Sequence, residues 1–338
     1  MKQYKFSILM PVYNGADVIK DALVSILRQD YNNYEIFISD DCSKDNVKQV
    51  LKEINSPKIY YYRNSKNLGY GKNMNRLRKL IPKDSDVVFL MAQDDILAKS
   101  NLKKINEVFN KHHEVGAVIR PFYMFADKIN VPIRDFGPYD RDKDTVLSIY
   151  DGYNALEAIF RTVCQLSGLA FRTKLIKIPF HQDVMTSHTY PFFDISKKHK
   201  IMYLKDYSIA VRTKTSQTRH VPNIYRISPT QVWINMINSI FPEKKFKKIN
   251  NQCIKIILHN GVVGLIQIKN FSTFQALLRE YWVIIKNRPL YIFNLRFLFY
   301  LFVTLFFPSN LLLPLVDSYK ENVLSLLLKK TAIKFVKA

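Results

Sequence analysis

The sequence predicts an α/β fold: a doubly wound, mainly parallel sheet, followed by a helical C-terminal region. Apolar runs alternate with amphipathic segments as far as residue 120. Such alternation is typical of parallel strands covered by helices on both faces. After about residue 222 the pattern becomes mainly helical, and residues 297–316 form an apolar run without a charge.

Each element of the first half is predicted from its periodicity. The strands are KFSILMPVY, YEIFISD, KIYYYR, DVVFLMA and VGAVIRPF, and the helices between them are ADVIKDALVSILRQ, NVKQVLKEI, YGKNMNRLRKLI and SNLKKINEVFNKH. In the first helix Ile19, Leu23 and Ile26 recur on one face. Asp45 and Ser100 are suitable N-caps for the helices that follow them.

The pattern after residue 120 is less regular. Residues 121–150 are charged, contain three prolines and read as irregular structure. The helix DGYNALEAIFRTV, with Asp151 as its cap, and the strand QLSGLAFR follow. The loop KIPFHQDVMTSHTYP then leads to a helical FFDISKKHK and to the short strands IMYL and YSIAVR. We divide the chain into residues 1–220, with halves at 1–120 and 121–220, and residues 221–338.

Charge is unevenly distributed along the 338 residues. The formal net charge is +23, of which residues 1–190 contribute +6 (28 basic, 22 acidic) and residues 191–338 contribute +17 (23 basic, 6 acidic). The second part is therefore expected to meet an anionic partner, either nucleic acid or a phospholipid surface. The three cysteines have no metal-binding spacing, which disfavours a disulfide scaffold or a zinc site and fits a reducing compartment.

The C-terminal region has the composition of a membrane-associating segment. Pro308 splits the run 297–316, and the 11 residues before it would make about 16 Å of helix, too short to cross a bilayer. The tail ENVLSLLLKKTAIKFVKA mixes apolar residues with lysines, as interfacial helices do. Because the N-terminus lacks a secretory signal pattern, we expect attachment at the cytoplasmic face of the cell membrane through residues 291–338. Packing into a core or a homodimer is the alternative.

Four turns follow predicted strands and should meet at one edge of the sheet, where ligands of parallel sheets bind. They are PVYNG, SDDCSKD, NSKNLGYGKN and AQDD. Tyr13 offers an aromatic face, Asp41 can accept a hydrogen bond from a base N–H, and Lys72 can meet phosphate. Taken singly, each turn is equally well explained by turn formation or helix capping.

Asp94 and Asp95 are two adjacent carboxylates that directly follow a strand predicted to be buried. They repel each other, and burying either one alone is costly. A divalent hard cation between carboxylate and diphosphate would relieve the repulsion. A helix N-terminus that favours acidic residues is the structural alternative.

In this order and spacing, SILMPVYNG, YEIFISDDCSKD, NLGYGKNMNRL and VVFLMAQDD resemble the N-terminal half of family 2 inverting glycosyltransferases, which have the GT-A fold. The resemblance is strong over about residues 5–120 and loose over about 120–215. It implies a nucleotide-sugar donor, usually a UDP-sugar, a Mn²⁺ or Mg²⁺ ion, and a saccharide or polyprenyl-diphosphate-linked acceptor in surface polysaccharide synthesis.

Residue roles follow from the same resemblance. Pro11, Tyr13 and Asn14 would line the nucleobase, and Asp41 would bond its edge. Lys72 stands where a cation near the diphosphate is expected. Asp94 and Asp95 match the aspartates that hold ribose and metal. Many members carry an acid at the position of Ala92, and its absence here leaves open which aspartate binds the metal.

The base that deprotonates the acceptor is an acid in the family's second half, often in an ED pair, which this chain lacks. The loop 177–191 offers two candidates: Asp183, which has the expected residue type, and His188, which has the expected distance from IMYL. His181 lies nearby. Arg219, in TSQTRH, is a further candidate for contact with donor phosphate.

Two rival functions fit the sequence less well. A nucleotidyltransferase acting on a sugar phosphate would need a glycine-rich, basic loop after the first strand, which PVYNGADVIKD does not supply. A nucleic-acid-binding protein would need a recognisable module or a basic patch interleaved with aromatics. The lysines here instead accompany an apolar segment, so we expect no nucleic-acid partner.

Overall fold

The computed structural model describes residues 1–215, 222–328 and 335. Two compact units divide these residues. The first comprises Met1–Arg212 together with Leu328 and Phe335, and the second is Thr213–Leu327. Arg219 and most of the tail after Leu328 lie outside the described residues.

Two sheets form the first unit. Its strands are β1 (Phe6–Val12), β2 (Tyr34–Asp40), β3 (Ile59–Arg63), β4 (Val87–Leu90), β5 (Ile96–Leu97), β6 (Val115–Ile119), β7 (Phe122–Phe125), β8 (Pro132–Phe136), β9 (Thr145–Leu147), β10 (Ala170–Arg172), β11 (Lys200–Tyr203) and β12 (Ile209–Arg212). The large sheet has the order β3-β2-β1-β4-β10-β6-β11-β9, and the small one β5-β12-β7-β8.

Six α-helices pack around these sheets among the described residues of the first unit. They are α1 (Ile19–Leu27), α2 (Val47–Ile54), α3 (Tyr70–Lys79), α4 (Asn101–Lys111), α5 (Tyr153–Val163) and α6 (Thr189–Ser196). The predicted alternation of strands and helices through residue 120 is confirmed. Helix α6 begins inside the segment predicted as a loop.

The strand directions bring the functional turns to one rim. β1 pairs in parallel with β2 and β4, and β2 with β3. β10 runs antiparallel to both β4 and β6, so β6 is parallel to β4, and β11 is parallel to β6. The carboxyl ends of β1, β2, β3, β4, β6 and β11 therefore share one edge, called here the carboxyl rim.

Burial explains why the central strands read as continuous apolar runs. All four residues of β4 and all five of β6 are buried. Helices cover both faces of such a sheet, so each side chain has an apolar neighbour. Ile19, Leu23 and Ile26 of α1 are buried as predicted.

Residues 121–150 were predicted to be irregular, and that prediction is wrong, since they contain β7, β8 and β9. Pro132 begins β8, a strand at the edge of the small sheet, where a missing N–H costs no ladder hydrogen bond. Phe122 and Phe136 stack across the β7–β8 pair at 4.6 Å between ring centroids. The charged residues in this segment are exposed or partly exposed.

The predicted helix caps are also corrected. Asp45 accepts a hydrogen bond from the backbone N–H of Ala16 instead of capping α2, and Ser100 donates to Asp30. Asp151 accepts from Ser148. These side chains join neighbouring turns, a role that helix-capping statistics do not foresee.

Helix α3 begins in close contact with the loop before α6. A Cβ atom added at Gly71 would fall onto the carbonyl oxygen of His181 and lie 2.5 Å from Cα of Gln182. One turn later the Asn75 amide group donates to the Phe180 carbonyl at 2.6 Å and accepts from its N–H at 3.0 Å. The first half and the second half of the unit are joined here.

The second unit is helical, as predicted. Its helices are α7 (Pro229–Ile240), α8 (Lys247–Phe271), α9 (Phe274–Asn287), α10 (Leu295–Phe306) and α11 (Ser309–Tyr319). Ser228 and Thr273 cap α7 and α9 through their side chains. The apolar run 297–316 is interrupted at Phe307 and Pro308, between α10 and α11. Among the described residues, no helix combines the length and the hydropathy needed to span a bilayer.

We predict that Gly71→Ala lowers the free energy of unfolding by about 1–3 kcal/mol, because the added methyl group has no space against the backbone of residues 181–182. Gly264→Ala is the matched control. Gly264 lies in α8 with no atom within 4 Å of an added Cβ, so this change should stabilise by about 0.5–1 kcal/mol. Thermal unfolding of both variants tests the contact, and equal stability of the two would contradict it.

Candidate active site

The structure brings the predicted strand-end residues together at the carboxyl rim. Tyr13 and Asn14 follow β1, Asp41 follows β2, and the Asp94–Asp95 pair lies between β4 and β5. Lys72 is exposed in the first turn of α3. Because β1, β2 and β4 are adjacent and parallel, their ends are neighbours in space.

Side-chain hydrogen bonds fasten the turn after β1 to its neighbours. The Gln93 amide accepts from the Tyr13 N–H at 2.9 Å and donates to the Tyr13 carbonyl at 3.2 Å. Asn14 has a positive φ of 48°, its N–H donates to Ser43, and its side-chain oxygen accepts from the Lys44 N–H. The Tyr13 ring remains 37% exposed, which leaves it available to a ligand.

The Asp41 carboxylate is buried at 3% exposure and organises the segment before α3. Oδ1 accepts from the Asn64 amide and the Leu68 N–H, and Oδ2 accepts from the Gly69 N–H at 2.8 Å. A carboxylate has about four acceptor positions, so one position on Oδ2 remains for a ligand N–H.

Asp95 is a buried carboxylate held by three donors. Gln165 and Ser167 both donate to Oδ2 at 2.6 Å, and the backbone N–H of Arg212 donates to Oδ1 at 3.1 Å. The pKa of Asp95 is raised to about 8, first by burial and second by the charge of Asp94 beside it. Asp94 is the more exposed member of the pair.

Arg120 lies beneath this carboxylate and is fully buried. Its guanidinium donates to the carbonyl oxygens of Thr162, Gln165 and Ser167. Gly168 completes the turn with a φ of +85°, and a Cβ there would lie 2.6 Å from Arg120 Nε. A buried cation thus shapes the turn that holds Asp95, and its charge opposes the rise in the pKa of Asp95.

Asp183 and His188 lie in the loop that packs against α3. The Asp183 carboxylate accepts from the N–H of Met185, from the N–H and hydroxyl of Thr186, and from the ring of His181. It is partly exposed, with 17% of its side chain accessible.

His188 is buried, and its ring is fixed by one backbone group. Nε2 lies 3.0 Å from the Val163 carbonyl oxygen, so Nε2 carries the hydrogen. Nδ1 is then the lone-pair nitrogen, and it is buried without a hydrogen-bond partner. Burial lowers the pKa of His188 to about 4. The ring is therefore neutral, with an unsatisfied acceptor.

Comparison with known proteins agrees with this geometry. Residues 7–161 match the family described as "Glycosyl transferase family 2". We call these matched residues the family 2 domain. They contain the turns with Tyr13, Asp41 and the Asp94–Asp95 pair, which confirms the family resemblance seen in the motifs.

Curated relatives of the family 2 domain carry enzyme names. The chain is 30% identical over 128 residues to the poly(ribitol-phosphate) β-N-acetylglucosaminyltransferase TarS of Staphylococcus aureus, covering 34% of this chain and 21% of TarS. It is 29% identical over 109 residues to the Campylobacter jejuni GalNAc(5)-diNAcBac-PP-undecaprenol β-1,3-glucosyltransferase, covering 32% of this chain and 35% of that enzyme. The matches thus span a fifth to about a third of these relatives.

Solved structures show the same fold. TarS 1–349 of S. aureus with UDP-GlcNAc superposes with a TM-score of 0.64 at 17% identity, over 83% of this chain and 81% of that one. The Pyrobaculum calidifontis mannosyltransferase PcManGT, with GDP-Man and Mn²⁺, gives 0.56 at 14% identity, over 95% and 88%. The fold is GT-A-like, with a mostly parallel central sheet and a helical C-terminal region, as predicted.

Sequence reasoning missed several residues of the family 2 site. Arg212 ends β12, donates from Nε to the Asp94 carbonyl at 3.3 Å, and pairs with Asp21 at 2.9 Å. It places a cation beside the acidic pair, whereas the residue suggested by the motif, Arg219, lies outside the described residues. Gln165 and Ser167 were missed because only the fold brings them to Asp95.

The acidic pair fits a divalent cation in part. The described residues contain no group of three or more His, Cys, Asp or Glu side chains arranged to hold a metal ion. Two adjacent carboxylates, one buried with a raised pKa, still form a site at which positive charge is favourable. Asp94 and one remaining acceptor position on Oδ1 of Asp95 would supply the protein's share of ligands, with diphosphate oxygens supplying others.

We predict that His188 makes the stability of the family 2 domain depend on pH. The folded pKa is below the unfolded value of 6.5, so the unfolded chain binds more protons between about pH 4 and 6.5, and stability falls as pH falls through this window. Between pH 7.5 and 5.5 the loss should be about 1 kcal/mol, or about 2–4 °C in Tm.

The comparison is with His188→Gln, which keeps an N–H donor for Val163, and with His113→Gln at an exposed position. Wild type and His113→Gln should lose Tm in parallel on acidification, and His188→Gln should lose less. An unchanged pH slope in His188→Gln would refute the buried neutral imidazole.

Proposed function

We propose that this protein is an inverting glycosyltransferase that moves a sugar from a nucleotide-sugar, with UDP as the nucleotide, to a glycan or a polyprenyl-linked saccharide in surface polysaccharide synthesis. The observation that carries the proposal is the convergence of Tyr13, Asp41 and the Asp94–Asp95 pair at the carboxyl rim of a family 2 domain. TarS 1–349 was solved with UDP-GlcNAc, which supports UDP as the nucleotide.

The donor would be gripped by neighbouring turns. The exposed Tyr13 ring, with Pro11 and Asn14 on either side, would lie against the nucleobase, and the open position of Asp41 would accept a base N–H. Lys72 would direct its ammonium group toward the diphosphate. The hydrogen bonds that tie the turns together fix these groups before the donor arrives, which reduces the entropic cost of binding.

A Mn²⁺ or Mg²⁺ ion would be held chiefly by Asp94, with Asp95 supporting it from the buried side. When bound, such an ion stabilises the negative charge of the departing diphosphate. Gln165 and Ser167 hold Asp95 in place and keep it from repelling Asp94 at closer range. PcManGT, which has the same fold, was solved with Mn²⁺.

The transfer also needs a base for the acceptor hydroxyl. Asp183 and His188 are the two residues suggested by the sequence. Four hydrogen bonds occupy the acceptor positions of Asp183, and the pKa of His188, lowered to about 4, makes its ring a weak base.

The helical unit would attach the enzyme to the cytoplasmic face of the cell membrane. Three helices each expose a stripe of large apolar side chains at a spacing of three or four residues. The stripes are Phe274, Leu278 and Trp282 on α9; Leu295, Leu298, Phe299, Phe302, Leu305 and Phe306 on α10; and Leu311 and Leu315 on α11. We call them the apolar stripes.

Burial in these helices is reversed relative to a surface helix of a soluble protein, which buries its apolar residues and exposes its polar ones. In α10 the polar Thr304 is fully buried while Phe306 is 69% exposed. Residues 213–327 carry 14 Lys and Arg against 4 Asp and Glu, and Lys286 lies 4.6 Å from the Trp282 ring. Apolar side chains beside excess positive charge match an anionic phospholipid surface. The C. jejuni relative is named for an undecaprenol-linked acceptor, which would lie at such a surface.

The first test uses Asp94→Asn and Asp95→Asn with a panel of UDP-sugars and measures release of UDP against Mn²⁺ concentration. Asp94→Asn should lower metal-stimulated turnover roughly 100-fold while leaving Tm unchanged, because a Lewis acid supplies several kcal/mol and Asp94 is the more exposed carboxylate.

Asp95→Asn should lower both turnover and Tm, because Gln165, Ser167 and the Arg212 N–H lose a charged hydrogen-bond acceptor. Glu53→Gln, at the exposed end of α2, is the control and should match wild type. Wild-type metal dependence in Asp94→Asn would refute the assignment of the metal.

The second test measures binding to liposomes. Phe299→Gln/Phe302→Gln/Phe306→Gln should weaken binding to phosphatidylglycerol vesicles at least about tenfold, since each ring contributes on the order of 1 kcal/mol or more of apolar burial. Val131→Gln, an exposed apolar position in the first unit, is the control. Binding by wild type should fall with added salt.

Unchanged vesicle binding by the triple variant would refute the proposed surface. If the triple variant instead converts a dimer to a monomer without changing vesicle binding, the stripes cover a second copy of the chain. Mass measurement in solution distinguishes the two results.

A further inference from the structure

His181 and Asp183 form a histidine–carboxylate pair in the loop that packs against α3. His181 Nδ1 lies 2.7 Å from Asp183 Oδ2. The His181 side chain is 50% exposed, whereas Asp183 is 17% exposed. The carboxylate thus lies behind the ring, and the ring meets the solvent.

The tautomer of His181 follows from its partner. An ionised carboxylate has no hydrogen to donate, so the 2.7 Å contact requires the hydrogen on Nδ1. The Asp183 N–H, 3.2 Å from the same nitrogen, then does not donate to it, because a protonated Nδ1 has no lone pair. In the neutral ring the lone pair therefore belongs to Nε2, the nitrogen on the far side from Asp183.

Asp183 itself has no acceptor position to spare. Oδ1 accepts from the N–H groups of Met185 and Thr186, and Oδ2 accepts from the Thr186 hydroxyl and from His181. Four hydrogen bonds fill the capacity of a carboxylate. A substrate hydroxyl would have to displace one of them, whereas Nε2 of His181 can accept at once.

The His181 ring is held in position by packing. It stacks on Tyr190 of α6, with ring centroids 4.3 Å apart and planes within 9°. The adjoining Phe180 is clamped by Asn75, and the His181 backbone lies against Gly71. Two residues before Gly71 is Gly69, whose N–H donates to Asp41, so the His181 backbone lies near the turn that contains Asp41.

We propose that His181 is the general base of the transfer and that Asp183 is the positioning residue that orients it. This inference rests on the proposed glycosyl transfer. The acceptor hydroxyl gives its proton to Nε2 while its oxygen forms the new bond to the anomeric carbon. The bond from that carbon to the diphosphate oxygen breaks, and its electron pair leaves with UDP. The imidazolium then returns the proton to water.

The surroundings of the pair suit this role. Besides Asp183, the titratable groups near the pair are Tyr190 of α6, Tyr70 of α3 and His188 in the loop itself. Arg78 of α3 contacts the Lys177 carbonyl where the loop begins. Burial raises the pKa of Tyr190 to about 12 and also raises that of Tyr70, and the charge of Asp183 acts in the same direction. Both phenols are neutral near pH 7. Asp183 is the charged group in direct contact with the His181 ring, and it stabilises the imidazolium that forms.

The test compares His181→Ala, His181→Gln and Asp183→Asn in a UDP-release assay with acceptor, alongside UDP affinity by calorimetry. Both His181 variants should lose about 10²–10⁴-fold in kcat while binding UDP within twofold of wild type. Imidazole in the buffer should restore part of the turnover of His181→Ala. Asp183→Asn should retain measurable turnover, and the acidic limb of its kcat profile should move to lower pH.

His113→Ala is the matched control, because His113 is exposed before β6 at the opposite rim and should leave turnover unchanged. Turnover of His181→Ala above one tenth of wild type, with turnover of Asp183→Asn abolished, would assign the base to Asp183 and overturn the inference. The proposed function fails separately, if wild type releases no UDP from any UDP-sugar in the panel.

Discussion

The turn from Thr162 to Ser167 holds the two halves of the active domain together through the buried guanidinium of Arg120. Burying a cation is costly unless its N–H groups are hydrogen-bonded, and here three carbonyl oxygens of one turn accept from the two terminal nitrogens, whereas Nε has no partner among the described residues. The carbonyls of this turn thus face Arg120. The side chains of Gln165 and Ser167 in the same turn donate to Asp95. The same turn supplies the Val163 carbonyl to His188. Arg120 therefore shapes the turn that contacts both Asp95 and His188.

The start of α3 provides the second link between the halves. Gly71 lets the helix approach the loop backbone, and Asn75 fastens that loop by two hydrogen bonds. The loop in turn carries His181 and Asp183, while the residue that precedes α3, Gly69, is held by Asp41. The turn that contains Asp41 and the loop that carries His181 thus both contact the start of one helix. In the proposed reaction, this contact would set the distance between the donor and the base.

The helical unit exposes many of its large apolar side chains. In its interior, the buried Glu280 accepts from the Thr230 N–H. On its surface, α9, α10 and α11 expose aromatic and leucine side chains in regular stripes. A helix that buries one apolar face and exposes a second apolar stripe at a spacing of three or four residues has two apolar faces. Lipid is one environment that matches the exposed apolar face.

The sequence by itself determined the alternation of elements, the rim on which Tyr13, Asp41 and the Asp94–Asp95 pair meet, the helical C-terminal region and the family. These follow from local periodicity and from the handed, short connections of a parallel sheet. The tertiary structure alone decided that residues 121–150 form strands, that Asp45 and Ser100 join turns instead of capping helices, and that Arg120, Gln165, Ser167 and Arg212 surround Asp95. Each of those partners is separated from Asp95 by at least 25 positions in the chain. Periodicity describes one element at a time, whereas a buried polar group takes its partners from whichever elements the fold places beside it, and no local pattern records that choice.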